Sequence, residues 1–205
     1  RVEIRDSNGA SVTYPENQSF DLEIQRGDVL TLSTLIEAGA DLTGLEITAN
    51  HEVAVFSSNT CAMIPHGTFA CDHLEQQLFP TATWGTQYVG AKFKPRGEEP
   101  DVWRILANTN GTTLSSTPAI PAVQGVTLDA GEVVEFEWNK DFVLDANHPI
   151  SMAQFMVSAD YPGPSGGCIG GGLVPGPATD RENCAIPSSS ICGSQAIGDP
   201  AFLTN

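Results

Sequence analysis

Cys61, His66, Cys71 and His73 fall within one short window of this chain, and together they could do two kinds of chemistry. Two thiolates and two imidazoles would make a tetrahedral zinc set. Alternatively, Cys61 and Cys71 close a disulfide across a loop holding Pro65 and Gly67, which would contribute about 2–3 kcal/mol by restricting the unfolded chain. None of the five cysteines forms a C-x-x-C pair, and that absence favours disulfides in an oxidising compartment. The odd count leaves one thiol free or bonded outside the chain. Asp72-His73 beside Glu75 is the other candidate for proton transfer. Its plainer reading makes Asp72 the cap of a short helical turn over Leu74–Leu78, with His73 as a packing residue.

The remaining chemistry is thin. Neither a G-x-S-x-G nucleophile elbow nor an H-E-x-x-H pair occurs. Gly166-Gly167 and Gly170-Gly171-Gly172 have no Lys-Ser/Thr behind them, so they do not read as a phosphate cradle. Glu98, Glu99 and Asp101, and later Asp141 and Asp145, offer the oxygen ligands calcium prefers, but without the D-x-D-x-D-G spacing they read as solvated acids. No cofactor is expected. Asp199-Pro200 resembles a self-cleaving Gly-Asp-Pro-His site with Ala201 in place of the histidine, so cleavage is not expected. Asn17-Gln18-Ser19 and Asn110-Gly111-Thr112 are formal glycosylation sequons.

The 205 residues carry a formal charge of −16, with only 17% charged residues, 20 Gly and 14 Pro. Such a field repels nucleic acid and anionic membranes, whose binding needs clustered cations. Lys92, Lys94 and Arg96 alone come close together. No apolar run reaches the roughly 18 residues of a membrane span. The chain opens at Arg1 with no visible leader, which reads as a mature or trimmed product.

Short alternating strands must position these residues. Phe20, Leu22 and Ile24 alternate with polar neighbours and predict a half-buried strand. Arg26-Gly27-Asp28, an integrin-type motif elsewhere, reads as the hairpin turn leading into Val29–Ser33. Leu42–Ala49 is expected to pair with Glu52–Ser57. Tyr88–Phe93 and Val102–Ala107 are expected to form a hairpin with a solvated tip over Lys94–Asp101. Val126–Leu128 is expected to pair with Val133–Trp138, whose Val134, Phe136 and Trp138 share a face, and Ile150–Val157 is the last core strand. Beyond Asp160 the periodicity ends, and a Gly/Pro-rich stretch holds Cys168, Cys184 and Cys192, two of which are expected to pair. The expected architecture is all-β: an antiparallel β-sandwich-like body with a short helical turn and a long disulfide-stapled loop. Its expected divisions are 1–160 (one β domain, or two packed halves), 161–197 (a loop insert) and 198–205 (the start of a further strand or assembly segment).

Val53-Ala54-Val55-Phe56-Ser57, Cys61-Ala62, Cys71-Asp72-His73-Leu74, Gln77-Leu78, Pro80, Trp84-Gly85 and Tyr88-Val89 together resemble the N-terminal domain of the IgG Fc-binding protein family, which bacterial secreted and surface proteins also carry. Arg26-Gly27-Asp28 with Asp41-Leu42-Thr43-Gly44 fits its lead-in. Leu128-Asp129-Ala130-Gly131-Glu132, Glu135-Phe136-Glu137 and Gly198-Asp199-Pro200 fit its later motifs, so the resemblance runs from about Phe20 to Phe202. It implies a secreted or surface-exposed β domain with a binding or adhesive role and no established catalytic residues, with Asp72, His73, Trp84 and Gly85 as motif residues. The expected function is therefore non-catalytic recognition of protein or glycan, with contacts made by Ala62–Ala70 and Pro162–Ile191. Two alternatives stand beside it. One is a fibre or oligomer subunit completed by β-strand exchange; the other is a metal-dependent hydrolase using His66 and His73.

Overall fold

The computed structural model describes residues 2–5, 11–15, 18–34, 41–68, 71–158, 161 and 202–204. Two compact units emerge, Arg1–Leu42 and Thr43–Asn205. Their strands lie in antiparallel sheets, with one parallel exception.

The first unit is a three-stranded sheet built from β1 (Val2–Arg5), β2 (Ser11–Tyr14) and β3 (Thr31–Thr34), with β1 in the centre. Tyr14 stacks on Phe20 at 3.8 Å between ring centroids. The strand expected over Phe20–Gln25 does not form, and Leu22 and Ile24 stand 42% and 44% exposed. Alternation alone cannot hold a strand without a neighbour to bond it. The Arg26-Gly27-Asp28 turn does form: Asp28 N donates to Gln25 O at 3.0 Å, and Gly27 takes φ +94°.

The second unit contains the main core. It runs through β4 (Glu46–Thr48), β5 (Phe56–Ala62), β6 (Asp72–Gln77), a 3-10 turn (Thr81–Thr83), β7 (Gly85–Gly90), β8 (Asp101–Ala107), β9 (Thr112–Thr117), β10 (Thr127–Leu128), β11 (Val133–Trp138), β12 (Phe142–Met156) and β13 (Phe202–Thr204). The fifteen-residue β12 organises the sheet. Its first part pairs with β7 and β9, and its second part pairs with β8, after a register shift between Asp145 and Ile150. β8 lies between β12 and β11, and six of its seven residues are buried. The nearly continuous apolar run Val102-Trp103-Arg104-Ile105-Leu106-Ala107 is what a strand covered on both faces requires.

Each face of β8 has its own core. Trp103, Ile105 and Ala107 join Leu114, Ile120, Val123, Phe136, Phe142 and Leu144 on one side, where Trp103 meets Phe142 edge-on at 4.8 Å. Val102 joins Phe155, Val157, Ala153, Ala62 and Leu74 on the other. Gly90 lies against this packing, and a Cβ there would overlap the Phe142 ring, itself only 2% exposed. Gly90→Ala is therefore expected to cost about 1–3 kcal/mol by overpacking, read as a lowered urea midpoint.

Several expected pairings give way to others. β7 and β8 do not form a hairpin, since each bonds to β12 instead. β10 pairs with β9, and β11 with β8. β5 begins only at Phe56 and pairs with β6, while β4 pairs in parallel with β13. Several segments expected to pair with a neighbour in sequence instead take partners farther along or farther back in the chain. The stretch from Asp72, expected as a helical turn, is strand β6, and the one short helical element is Thr81–Thr83 among the described residues. Asp72 is therefore a strand residue opposite Ala62 and caps nothing helical. Cys168, Cys184, Cys192, the 161–197 loop and Asn17 lie outside the described residues, apart from Tyr161.

Candidate functional site

The hairpin of β5 and β6 is joined at its loop end by a disulfide between Cys61 and Cys71, whose Cα atoms are 4.9 Å apart. Asn59 Oδ1 accepts from Cys61 N at 2.9 Å, holding the bend where the register shifts. Ala62 and Leu74 point down from the hairpin onto Phe155 and Val157. Both sulfurs are committed to each other, so the set Cys61, His66, Cys71 and His73 does not offer two thiolates. His66 is exposed at the loop tip, and His73 Nε2 lies 3.4 Å from Glu75 Oε2 on the wet side of β6. His73 is thus a surface residue, not the packing residue expected.

The loop after Cys61 is tied back to the body. Ile64 N donates to Ser158 Oγ at 2.8 Å, and Ser158 N donates to Ile64 O at 2.7 Å. This clamp sets Pro65 over a shallow groove of about 340 Å³ lined by Pro65, Val102, Glu135, Phe136 and Glu137. Glu135 and Glu137, two residues apart on β11, occupy one face of the strand. Arg104 reaches Glu135 Oε2 at 2.7 Å and rests over the Phe155 ring at 5.5 Å. Tyr161 Oη donates to Glu137 Oε2 at 2.7 Å. Burial, that hydrogen bond and the Glu137 charge push the Tyr161 phenol up to about 12. It therefore stays protonated, and a donor, across the physiological range.

The loop Lys94–Asp101, expected to be a solvated tip, is instead held by buried charge. Asp101, 1% exposed, accepts from Lys92 Nζ at 2.7 Å, Phe93 N at 2.8 Å and Gln154 Nε2 at 2.7 Å. Glu99, 3% exposed, accepts from Arg96 N at 2.8 Å and Gly97 N at 2.6 Å. These two acids are not solvated, because each is surrounded by donors that compensate its burial. Asp141 and Asp145 serve separate partners, Lys92 N and Gln87 Nε2. Among the described residues, no three acids, histidines or cysteines converge as a metal site.

Burial works against the Glu99 carboxylate, but the backbone N–H groups of Arg96, Glu99 and Gly97, aided by the Lys92 charge, outweigh it and lower its pKa below 4.5. A lowered folded value stabilises the fold above the unfolded pKa, and that contribution is lost as pH falls through the folded one. Urea midpoints for wild type and Glu99→Gln, taken from about pH 7 down to about pH 3, are expected to converge at the acid end.

Trp84 closes the 3-10 turn and Gly85 opens β7, and neither lines the groove. Trp84 Nε1 reaches Phe79 O at 3.4 Å, and Gly85 N donates to Tyr88 Oη, which donates to Ile150 O at 2.6 Å. Gly85 and Tyr88 thus tie the start of β7 to β12 at Ile150, while Trp84 bonds back to the segment before the 3-10 turn. Sequence reasoning singled out the Cys61–Cys71 loop but missed Arg104, Glu135, Glu137, Ser158 and Tyr161. The signal available was the pair of carboxylates spaced by two in Val133–Trp138, which put both charges on one side of a strand.

A disulfide-pinned hairpin laid across an antiparallel sheet, with a clamped loop above a shallow acidic groove, defines an all-β protein whose distinctive surface is a loop and a sheet rim. The chain belongs to the IgGFc binding protein family, whose model matches residues 1–202. It is 33% identical over 148 residues to the IgGFc-binding protein of Homo sapiens, a match covering 71% of this chain. The chain spans only 3% of that relative's length. No solved structure matches it. The family is one of binding proteins by its description, and no helix among the described residues is long and apolar enough to cross a membrane.

Proposed function

We propose that this chain is a non-catalytic extracellular or cell-surface binding domain, with adhesion to protein or glycan as its role. The observation that carries the reading is the Ser158 clamp. It holds the stapled loop rigidly over the groove and so presents Pro65, His66 and the β11 carboxylates as one preorganised surface. The Cys61–Cys71 bridge supports an oxidising compartment. The human relative's name makes the IgG Fc region the first protein ligand to test. Immobilised protein is expected to retain at least one ligand from an extracellular-protein array that includes Fc, or from a glycan array. Pro65→Gly with His66→Ala is expected to weaken that binding about tenfold. No retained ligand, or binding indifferent to those substitutions, overturns the reading.

A second reading, a surface-fibre or oligomer subunit completed by β-strand exchange, draws on β4, whose partner β13 comes from the far end of the chain. The same pairing made between copies would give a dimer or a fibre. Light scattering that reports a monomer at every concentration would remove it.

A further inference from the structure

The six-stranded sheet ends at β11: among the described residues β8 bonds one edge of that strand, and no strand bonds the other. An open edge presents alternating N–H and C=O groups that water alone satisfies. The groove lies along this same strand, lined by three consecutive β11 residues, Glu135, Phe136 and Glu137, with Pro65 overhanging from the stapled loop. The groove, lined also by Val102 of β8, lies over the face of β11 that carries Glu135 and Glu137, and the unpaired edge bounds that face.

Side-chain chemistry decides which strand fits. Val133, Glu135 and Glu137 share one face of β11 with a period of two. A second copy of β11 would place carboxylates against carboxylates, which is destabilising in a cross-strand pair. The chain's charge of −16 adds to that repulsion. An incoming strand with Lys or Arg at every second position would set a cation opposite each acid. Glu135 already holds Arg104, and Glu137 holds the neutral Tyr161 hydroxyl. Among the described residues, Glu137 is therefore the acid of this rim whose charge no cation answers.

We propose that β11 accepts an extended cationic segment of a partner protein as an added strand, with backbone hydrogen bonds along the open edge and its alternate Lys or Arg side chains over Glu135 and Glu137. The proposal rests on the binding role put forward above and names the class of protein ligand. Pro65, overhanging the face that carries the two acids, supplies apolar contact for the aliphatic stems.

The test is fluorescence anisotropy on the whole chain with labelled peptides of about ten residues, matched to a strand's usual length. One alternates Lys and Thr, one alternates Glu and Thr, and two are Lys/Thr peptides N-methylated either at every Lys or at every Thr. Because only every second N–H of an added strand faces its neighbour, one methylated peptide is expected to lose about tenfold or more in affinity, while the other binds like the parent. The Glu/Thr peptide is expected not to bind. Raising salt from about 0.05 to 0.2 M is expected to weaken the Lys/Thr peptide. Glu137→Gln, which keeps an acceptor for Tyr161, is expected to weaken it about threefold or more.

Failure of the Lys/Thr peptide to bind, equal binding of both methylated peptides, equal binding of the Glu/Thr peptide, or indifference to Glu137→Gln overturns the proposal. A ligand found on the arrays that the Lys/Thr peptide does not displace would leave the binding role standing and refute strand addition.

Discussion

Asp101→Ala is expected to destabilise the second unit by about 3–5 kcal/mol, the range for breaking one side of a buried ion pair. Asp101 is 1% exposed, and the Lys92 side chain it holds is 9% exposed. Removing the carboxylate strands three donors at once: the Lys92 ammonium, the Phe93 N–H and the Gln154 amide. The ammonium dominates, because a buried charge without a counter-charge must either draw water inward or shed its proton. Asp101→Asn keeps the volume but turns an amide donor toward other donors, so it is expected to fall between wild type and Asp101→Ala. Lys92→Met combined with Asp101→Leu removes both charges and is expected to recover much of the loss. Urea unfolding followed by tryptophan fluorescence measures all four proteins, since Trp103 lies two residues along the same strand. Near-wild-type midpoints for Asp101→Ala would show that water reaches this pair.

The second large effect is expected from the disulfide. Replacing Cys61 and Cys71 with alanine is expected to cost about 2–3 kcal/mol, the loop-closure value for a ring of this size. The sequence separation of 10 puts the ring in the short-loop regime, where the entropic contribution is modest but the local consequence is large. Among the described residues, the β5–β6 hairpin and its loop cover Phe155 and Val157 through Ala62, Leu74 and the half-buried Ile64. A two-stranded ribbon with so little apolar contact is marginal alone. Loss of the bridge should therefore free the hairpin before the sheet beneath it unfolds. Reductant is expected to lower the wild-type midpoint at least to that of the alanine variant, and any further shift it causes in the variant would report the bridge expected among Cys168, Cys184 and Cys192.

How much of this was legible beforehand follows from which physics was local. The turn at Arg26-Gly27-Asp28, though not the hairpin expected around it, and the face shared by Val134, Phe136 and Trp138 are set by neighbouring residues, and these were read correctly. The all-β class follows from the same short periodicities. Strand partners were the harder part, because β12 takes β7, β8 and β9 as neighbours across long stretches of sequence. Nothing in Tyr88–Phe93 announces that its mate is Phe142–Asp145 and not the strand that follows. Asp101 looked solvated because acids on a presumed hairpin tip usually are; three donors, two from Lys92-Phe93 and one from Gln154, make the opposite outcome stable. Asp72-His73-Leu74 read as a helical start from its capping chemistry, yet Ala62 opposite Asp72 and Asn59 opposite Leu74 commit it to a ribbon. The groove was invisible for a related reason: Pro65, Val102 and Glu137 meet only after the fold is complete.

The late position of β12 sets the timetable of biosynthesis. As the nascent chain leaves the ribosome, β7, β8 and β9 are already made, but the strand that unites them is not. At usual elongation rates the interval between Ala107 and Met156 lasts roughly 2–10 s. Until β11 emerges the sticky segment Val102–Ala107 has no strand to pair with, and until β12 follows one of its edges stays open, so a chaperone that grips extended apolar peptides should find its strongest foothold there.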